Sequence, residues 1–135
     1  MEISRQTDYA IRTIEFLSRD PDAGLVQTHE IARQQNIPPK YLPTIIRTLA
    51  RAGLLKTMRG NHGGVRLARP PEEISLREVV EAIDGPVILN RCLIKPGECD
   101  SGSSNLCALH MFWERVTDDV REELDSVMMS DLVSD

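Results

Sequence analysis

At 135 residues, with 41% hydrophobic and 27% charged side chains, the chain has the makeup of one folded domain rather than a disordered segment. No apolar run approaches the roughly 18 residues that cross a bilayer, and the opening Met1-Glu2-Ile3-Ser4-Arg5 has no apolar leader core, so a cytoplasmic protein outside the membrane is expected. The net charge of −5 hides a split: residues 1–70 carry 11 Lys/Arg against 6 Asp/Glu and residues 71–135 carry 5 against 15, which suggests a phosphate-facing surface on the first half only.

Ala10, Ile14 and Leu17 recur at helical spacing and predict a first helix over about 4–19, ended by Asp20-Pro21-Asp22-Ala23-Gly24. Thr28 stands where an N-cap belongs, with Glu30 behind it, and predicts a short helix over about 29–35 that stops near Asn36. A third helix follows Ile37-Pro38-Pro39 and runs to about Ala52. Leu42, Ile45, Ile46 and Leu49 form its apolar face, Pro43 is tolerated in its opening, and Gly53 is placed to terminate it. Its other face carries Lys40, Thr44, Arg47 and Arg51 as one polar and cationic stripe. Residues 54–58 and 64–68 read as two short strands around the tip Gly60-Asn61-His62-Gly63-Gly64.

Ser75 and Glu78 form a capping box for a helix with Leu76, Val79, Val80 and Ile83 on one face, ended by Asp84-Gly85-Pro86. The Gly-, Ser- and Cys-rich stretch from about 90 to 105 reads as a loop, long for so small a domain. A last helix is expected over about 105–129, with Leu109, Trp113, Val116, Val120, Leu124 and Val127 on one side and an acidic opposite side. A long helix with a single apolar stripe pairs with its own copy or packs on its own domain.

The resulting class is mainly α with a small β-hairpin wing: a winged helix-turn-helix over 1–85, followed by a cysteine loop and a long C-terminal dimerisation helix over 86–135. In that arrangement the third helix enters the major groove of double-stranded DNA and the hairpin reaches backbone or minor groove. Lys40, Thr44, Arg47 and Arg51 would face the DNA, with Arg59 on the wing and His62 at its tip as a backbone contact. The glycine-rich tip is not a nucleotide-binding loop, because Val65-Arg66-Leu67 follows Gly64 where such a loop needs Gly-Lys-Ser/Thr.

All three cysteines fall within 16 residues, with six residues between Cys92 and Cys99 and seven between Cys99 and Cys107. An odd number of thiols in a cytoplasmic chain is not a disulfide framework, and the close Cys pair usual in zinc sites is missing. Thiols on a wide polar loop suit an iron–sulfur cluster, whose fourth ligand must come from elsewhere. His110 is the only histidine near, and nothing marks a substrate cleft, so an enzyme is not expected.

Taken in order, these residues resemble the IscR/NsrR-type winged-helix regulators of bacteria. The resemblance spans nearly the whole chain: Thr7-Asp8-Tyr9-Ala10-Ile11-Arg12, Ile37-Pro38-Pro39-Lys40-Tyr41-Leu42, Leu54-Leu55, Arg59-Gly60, Gly63-Gly64, the segment Leu76 to Gly85, and the cysteines before Leu109-His110-Met111-Phe112-Trp113. It implies a homodimeric regulator, a repressor, with a cluster on Cys92, Cys99 and Cys107, 4Fe–4S favoured and 2Fe–2S the alternative. Nitric oxide, redox state or iron–sulfur status would then control operator affinity. The fourth ligand implied is either Asp8 of the partner subunit, as in the nitric-oxide branch, or His110, as in the cluster-assembly branch; the Thr7-Asp8-Tyr9 opening favours Asp8. The cysteine spacings are longer than usual in either branch, Pro43 replaces an acidic residue, and Asn61-His62 replaces Pro-Gly in the wing. Two rivals remain: a cluster-free regulator using the cysteines as a thiol-redox or zinc switch, and an iron–sulfur accessory protein that does not bind DNA.

Overall fold

The computed structural model describes residues 2–94 and 107–133. Helices α1 (Arg5–Ser18), α2 (Thr28–Gln35) and α3 (Leu42–Arg51) lead into strands β1 (Leu55–Met58) and β2 (Gly64–Leu67), then α4 (Leu76–Asp84) and α5 (Ala108–Ser126), with short 3-10 turns at Pro71–Glu73, Arg91–Leu93 and Met129–Leu132. Among the described residues, no helix is long and apolar enough to cross a membrane.

The helices end where their capping chemistry says they should. Ser4 caps α1 by accepting the Thr7 N–H at 3.1 Å, and Ser75 and Glu78 form the reciprocal capping box of α4. At the end of α3, the N–H of Leu54 reaches the carbonyl of Leu49 and that of Gly53 the carbonyl of Ala50, both at 3.0 Å. That double bond pattern needs a left-handed residue at Gly53, which has φ +80°.

The hairpin pairs antiparallel, Leu55 with Leu67 through Met58 with Gly64. Val26 adds an edge bridge to Val65, its N–H donating at 2.9 Å and its carbonyl accepting at 2.8 Å. This bridge explains one departure from the expected elements. With Val26 pinned, the chain turns into the helix at Gln27, so Thr28 is the first residue of α2 rather than its cap.

Ile14, Ile31, Leu42, Leu49, Leu54, Ile74 and Val79 are fully buried in one core drawn from α1, α2, α3, the wing base and α4. Met129 belongs to the same core at 0% exposure. The C-terminal helix is accordingly shorter than the expected 105–129. It stops at Ser126, and Val127 is extended, its carbonyl accepting the Leu76 N–H at 2.8 Å while the Met129 N–H reaches the Ile74 carbonyl at 2.8 Å. The chain past α5 thus returns to the first half of the molecule and fills its core.

Helix α5 itself buries only Thr117 completely. It is fastened to the rest by Arg77, which bonds Glu81 and Asp125 at 2.7 Å each, and by Arg121, whose Nε donates to the Val87 carbonyl at 3.0 Å. Leu109 and Met111 are 58% exposed and Phe112 42%, so the apolar start of α5 is left uncovered among the described residues.

Candidate DNA interface and cysteine ligands

Leu42, Ile45, Ile46 and Leu49 turn inward, which leaves Pro43, Thr44, Arg47 and Arg51 exposed on the opposite side of α3. The expected continuous stripe is divided in space. Arg47 and Arg51 meet Arg59 of the wing around a shallow cavity of about 450 Å³, walled by Pro43, Ile46 and Thr57. Lys40 precedes the helix, with its Nζ 5.0 Å from the centre of the Tyr41 ring. Together with Thr44 it lines a separate cavity of about 250 Å³, bordered by Gln6 of α1 and Ile83 of α4. His62 is exposed at the wing tip and lines neither.

Charge pairing separates these cations from six arginines of the fold. Arg12, Arg19, Arg33, Arg69, Arg77 and Arg121 each hold a carboxylate partner. Among the described residues, Lys40, Arg47, Arg51 and Arg59 have none, and neither do Lys56 and Arg66, cross-strand neighbours exposed on the wing. A cluster of unneutralised guanidinium groups on one rim is kept apart only by solvent and favours an anionic ligand.

The wing is held against the helices by a contact that periodicity could not announce. Gln27 Nε2 donates to the Asn61 carbonyl at 3.3 Å, bridging the start of α2 to the wing tip. The tip also depends on Gly63, where an added Cβ would run into the Met58 carbonyl.

Cys92 lies on the turn Arg91–Leu93, partly buried, its N–H directed at Asn90 Oδ1 at 3.4 Å. Cys107 is the residue before α5 and does not use its side chain to cap the helix; His110 follows one turn later. Cys99 lies outside the described residues. Asp8 is exposed in the first turn of α1 and pairs at 3.2 Å with Arg12, whose Nη1 also donates at 2.8 Å to the Gln35 carbonyl at the end of α2. Among the described residues, no three His, Cys, Asp or Glu side chains gather closely enough to hold a metal ion. The donor types nonetheless fit an iron–sulfur cluster, with Cys92 and Cys107 both free thiols.

The family model for Rrf2, described as an iron-dependent transcriptional regulator, matches residues 3–135. Protein aau3 of Rhizobium meliloti (strain 1021) is 33% identical over 133 residues, 98% of this chain and 85% of that protein. The HTH-type transcriptional regulator IscR of Aliivibrio salmonicida (strain LFI1238) is 29% identical over 135 residues, covering 100% of this chain and 79% of that one. Among solved structures, CymR (YrzC), titled the global cysteine regulator of B. subtilis, matches with a TM-score of 0.81 at 28% identity, over 100% of this chain and 99% of that chain. The resemblance to IscR-type regulators and the winged-helix class read from the residues are both shown by these matches. With three arginines that hold no carboxylate among the described residues gathered between α3 and the wing, and a family match over nearly its full length, this chain belongs to the Rrf2 family and is a transcriptional regulator with a DNA-binding fold.

Proposed function

We propose that the chain is a homodimeric repressor that binds paired operator half-sites and adjusts its affinity through an iron–sulfur cluster. The observation that carries the DNA contact is the convergence of Arg47, Arg51 and Arg59 on one cavity rim without carboxylate partners. Residues 1–85 serve as the reading head. Residues 86–135 carry the cysteine loop and the dimer helix, with Met129 anchoring that segment in the head. The uncovered Leu109, Met111 and Phe112 form an apolar patch that a second copy would bury, consistent with a two-fold reader of paired half-sites.

Cys92, Cys99 and Cys107 would hold the cluster, with Asp8 of the partner subunit or His110 completing it; 4Fe–4S is favoured. Such a cluster supplies a centre that nitric oxide, oxidants or iron shortage degrade. Asp8 is the ligand that best couples this to DNA, because its Arg12 partner is bonded to the end of α2 in the reading head.

The test is anaerobic purification followed by nitric-oxide titration and binding to duplexes selected from a randomised library. A brown protein with labile sulfide, whose duplex affinity changes as nitric oxide bleaches it, supports the reading. A colourless protein whose affinity follows thiol oxidation would establish a second reading, a cysteine-based switch without a cluster. The specific support for that alternative is the fold match to CymR over the whole chain. Failure to bind any duplex in a salt-dependent manner would leave only an accessory iron–sulfur role.

A further inference from the structure

Between the wing and the helices the surface has a second hollow, about 670 Å³, whose walls include Gln27 and His29 of the α2 start and Met58 and Asn61 of the wing. It shares Ile46 and Thr57 with the arginine-rimmed cavity, so the two hollows adjoin and form a trough with a common wall between the helices and the hairpin. Its floor is apolar, with Ile46, Ala32 and Val65 all buried. One end is cationic through Arg47, Arg51 and Arg59, and at the other stands an exposed imidazole without a hydrogen bond among the described residues.

If a recognition helix occupies the major groove and a wing the neighbouring minor groove, the DNA strand dividing the grooves has to pass between them. The trough is that passage. A strand lying there would bring phosphates to its two ends. We propose that His29 is a DNA-phosphate contact at the far end of this trough, and that its protonation makes operator affinity rise as pH falls. The inference rests on the DNA reading above and adds to it a residue and a proton linkage.

The surroundings leave the imidazole free to respond. On its own helix the nearest charges are Glu30 and Arg33, which pair with each other at 2.6 Å. The Glu30 carboxyl is held below its ordinary value by hydrogen bonds from Arg33 and Gln34, against a small opposing effect of burial and with a minor contribution from His29. The neighbours lining the hollow from the other elements are Pro39, Ile46, Thr57, Met58, Gly60 and Asn61, none of which titrates. The nearest cations of the trough, Arg47, Arg51 and Arg59, stay charged throughout. A phosphate beside an imidazole favours the charged ring, so the extra affinity is present in acid and is lost as pH rises.

The experiment measures affinity of the full chain for a selected duplex at about pH 5.5 and pH 7.5 over a range of salt, for the parent, His29→Gln, His62→Gln and Arg59→Ala. The expected parent binds about three- to fivefold tighter at the lower pH, with a log–log salt slope steeper there by about 0.9. His29→Gln, an exposed substitution whose folding is checked by melting, should bind with the same affinity and the same salt slope at both pH values. Arg59→Ala should weaken binding at both pH values and keep the step between them. Persistence of the step in His29→Gln, its loss in His62→Gln alone, or no step in the parent overturns the proposal while leaving the DNA reading intact. Absence of salt-dependent binding at either pH overturns both.

Discussion

Arg12 and Arg59 carry the same guanidinium to opposite ends. Arg12 is consumed by the fold: it lies over the Tyr9 ring at 4.9 Å, pairs with Asp8 and bonds the last carbonyl of α2. Arg59 has no partner among the described residues and stands on the trough rim. Arg59→Ala should therefore cost about 1–3 kcal/mol of duplex affinity if it reads a base edge, or lower the salt slope by about one if it meets phosphate, with no loss of melting temperature. Unchanged affinity in matched salt would remove the wing from the interface. For the proposed cluster ligands, the discriminating pair is Asp8→Ala and His110→Ala, each reconstituted without oxygen. The expected outcome is an altered cluster spectrum and altered duplex affinity in Asp8→Ala, with a nearly parental spectrum in His110→Ala. The reverse pattern assigns the fourth ligand to His110. A carboxylate is a hard donor for iron–sulfur compared with thiolate, so an Asp8 bond is the one a signal would displace first.

At the scale of elements, the question is how helices are tied so that a change at one reaches another. The start of α1 is fastened to the end of α4 by Ser4, whose Oγ donates to Asp84 Oδ1 at 2.7 Å and whose N–H approaches Oδ2 at 3.3 Å. Burial works against the Asp84 carboxylate, but the hydrogen bonds from Ser4 and Thr7 outweigh it and hold that carboxyl below its ordinary value. Its contribution to stability is therefore complete above about pH 4 and drains away as pH falls through the lower folded value. Asp84→Asn should destabilise the chain by about 1 kcal/mol at neutral pH, with the difference from the parent closing in acid. Urea unfolding at neutral and acid pH tests it, and a difference that grows on acidification would contradict the assignment. In α5, Val116 is partly exposed between the uncovered Phe112 and the better-covered C-terminal turns. Val116→Asp would place an unpaired charge in a paired-helix interface, costing several kcal/mol. Light scattering should then report a monomer or aggregate, and a soluble dimer of normal mass would rule that interface out.

Over the whole molecule, the C-terminal turn ties α5 to the core of α1 to α4 as one mechanical body. Met129 is fully buried among head residues, and its backbone and that of Val127 clamp Ile74–Leu76. Met129→Ala should cost about 2–5 kcal/mol, the range for removing a buried long side chain and leaving a cavity. The loss should appear as one cooperative unfolding transition. Separate melting of the segment after Gly85, with the head unchanged, would show that the return strand does not stabilise it.

Much of this was legible along the chain because the physics involved is local. Helical periodicity placed α1, α3 and α4 within a residue or two. The Ser75–Glu78 box and the Gly53 terminator are short-range hydrogen-bond patterns written in adjacent residues, and the ordered motifs carried the family. Sequence could not show that the Lys40, Thr44, Arg47 and Arg51 stripe splits between two cavities, because Lys40 sits on a turn whose direction is set by packing against α1 and α4. Nor could it show the end of α5: Val127 and Met129 continue the apolar rhythm of a helix, and only pairing with Ile74–Leu76, more than fifty residues away in the chain, pulls them into extended backbone. The trough between α2 and the wing has the same origin. Residue type and spacing determined which elements form and which side chains are cationic, whereas contacts between distant segments decided which of those cations meet.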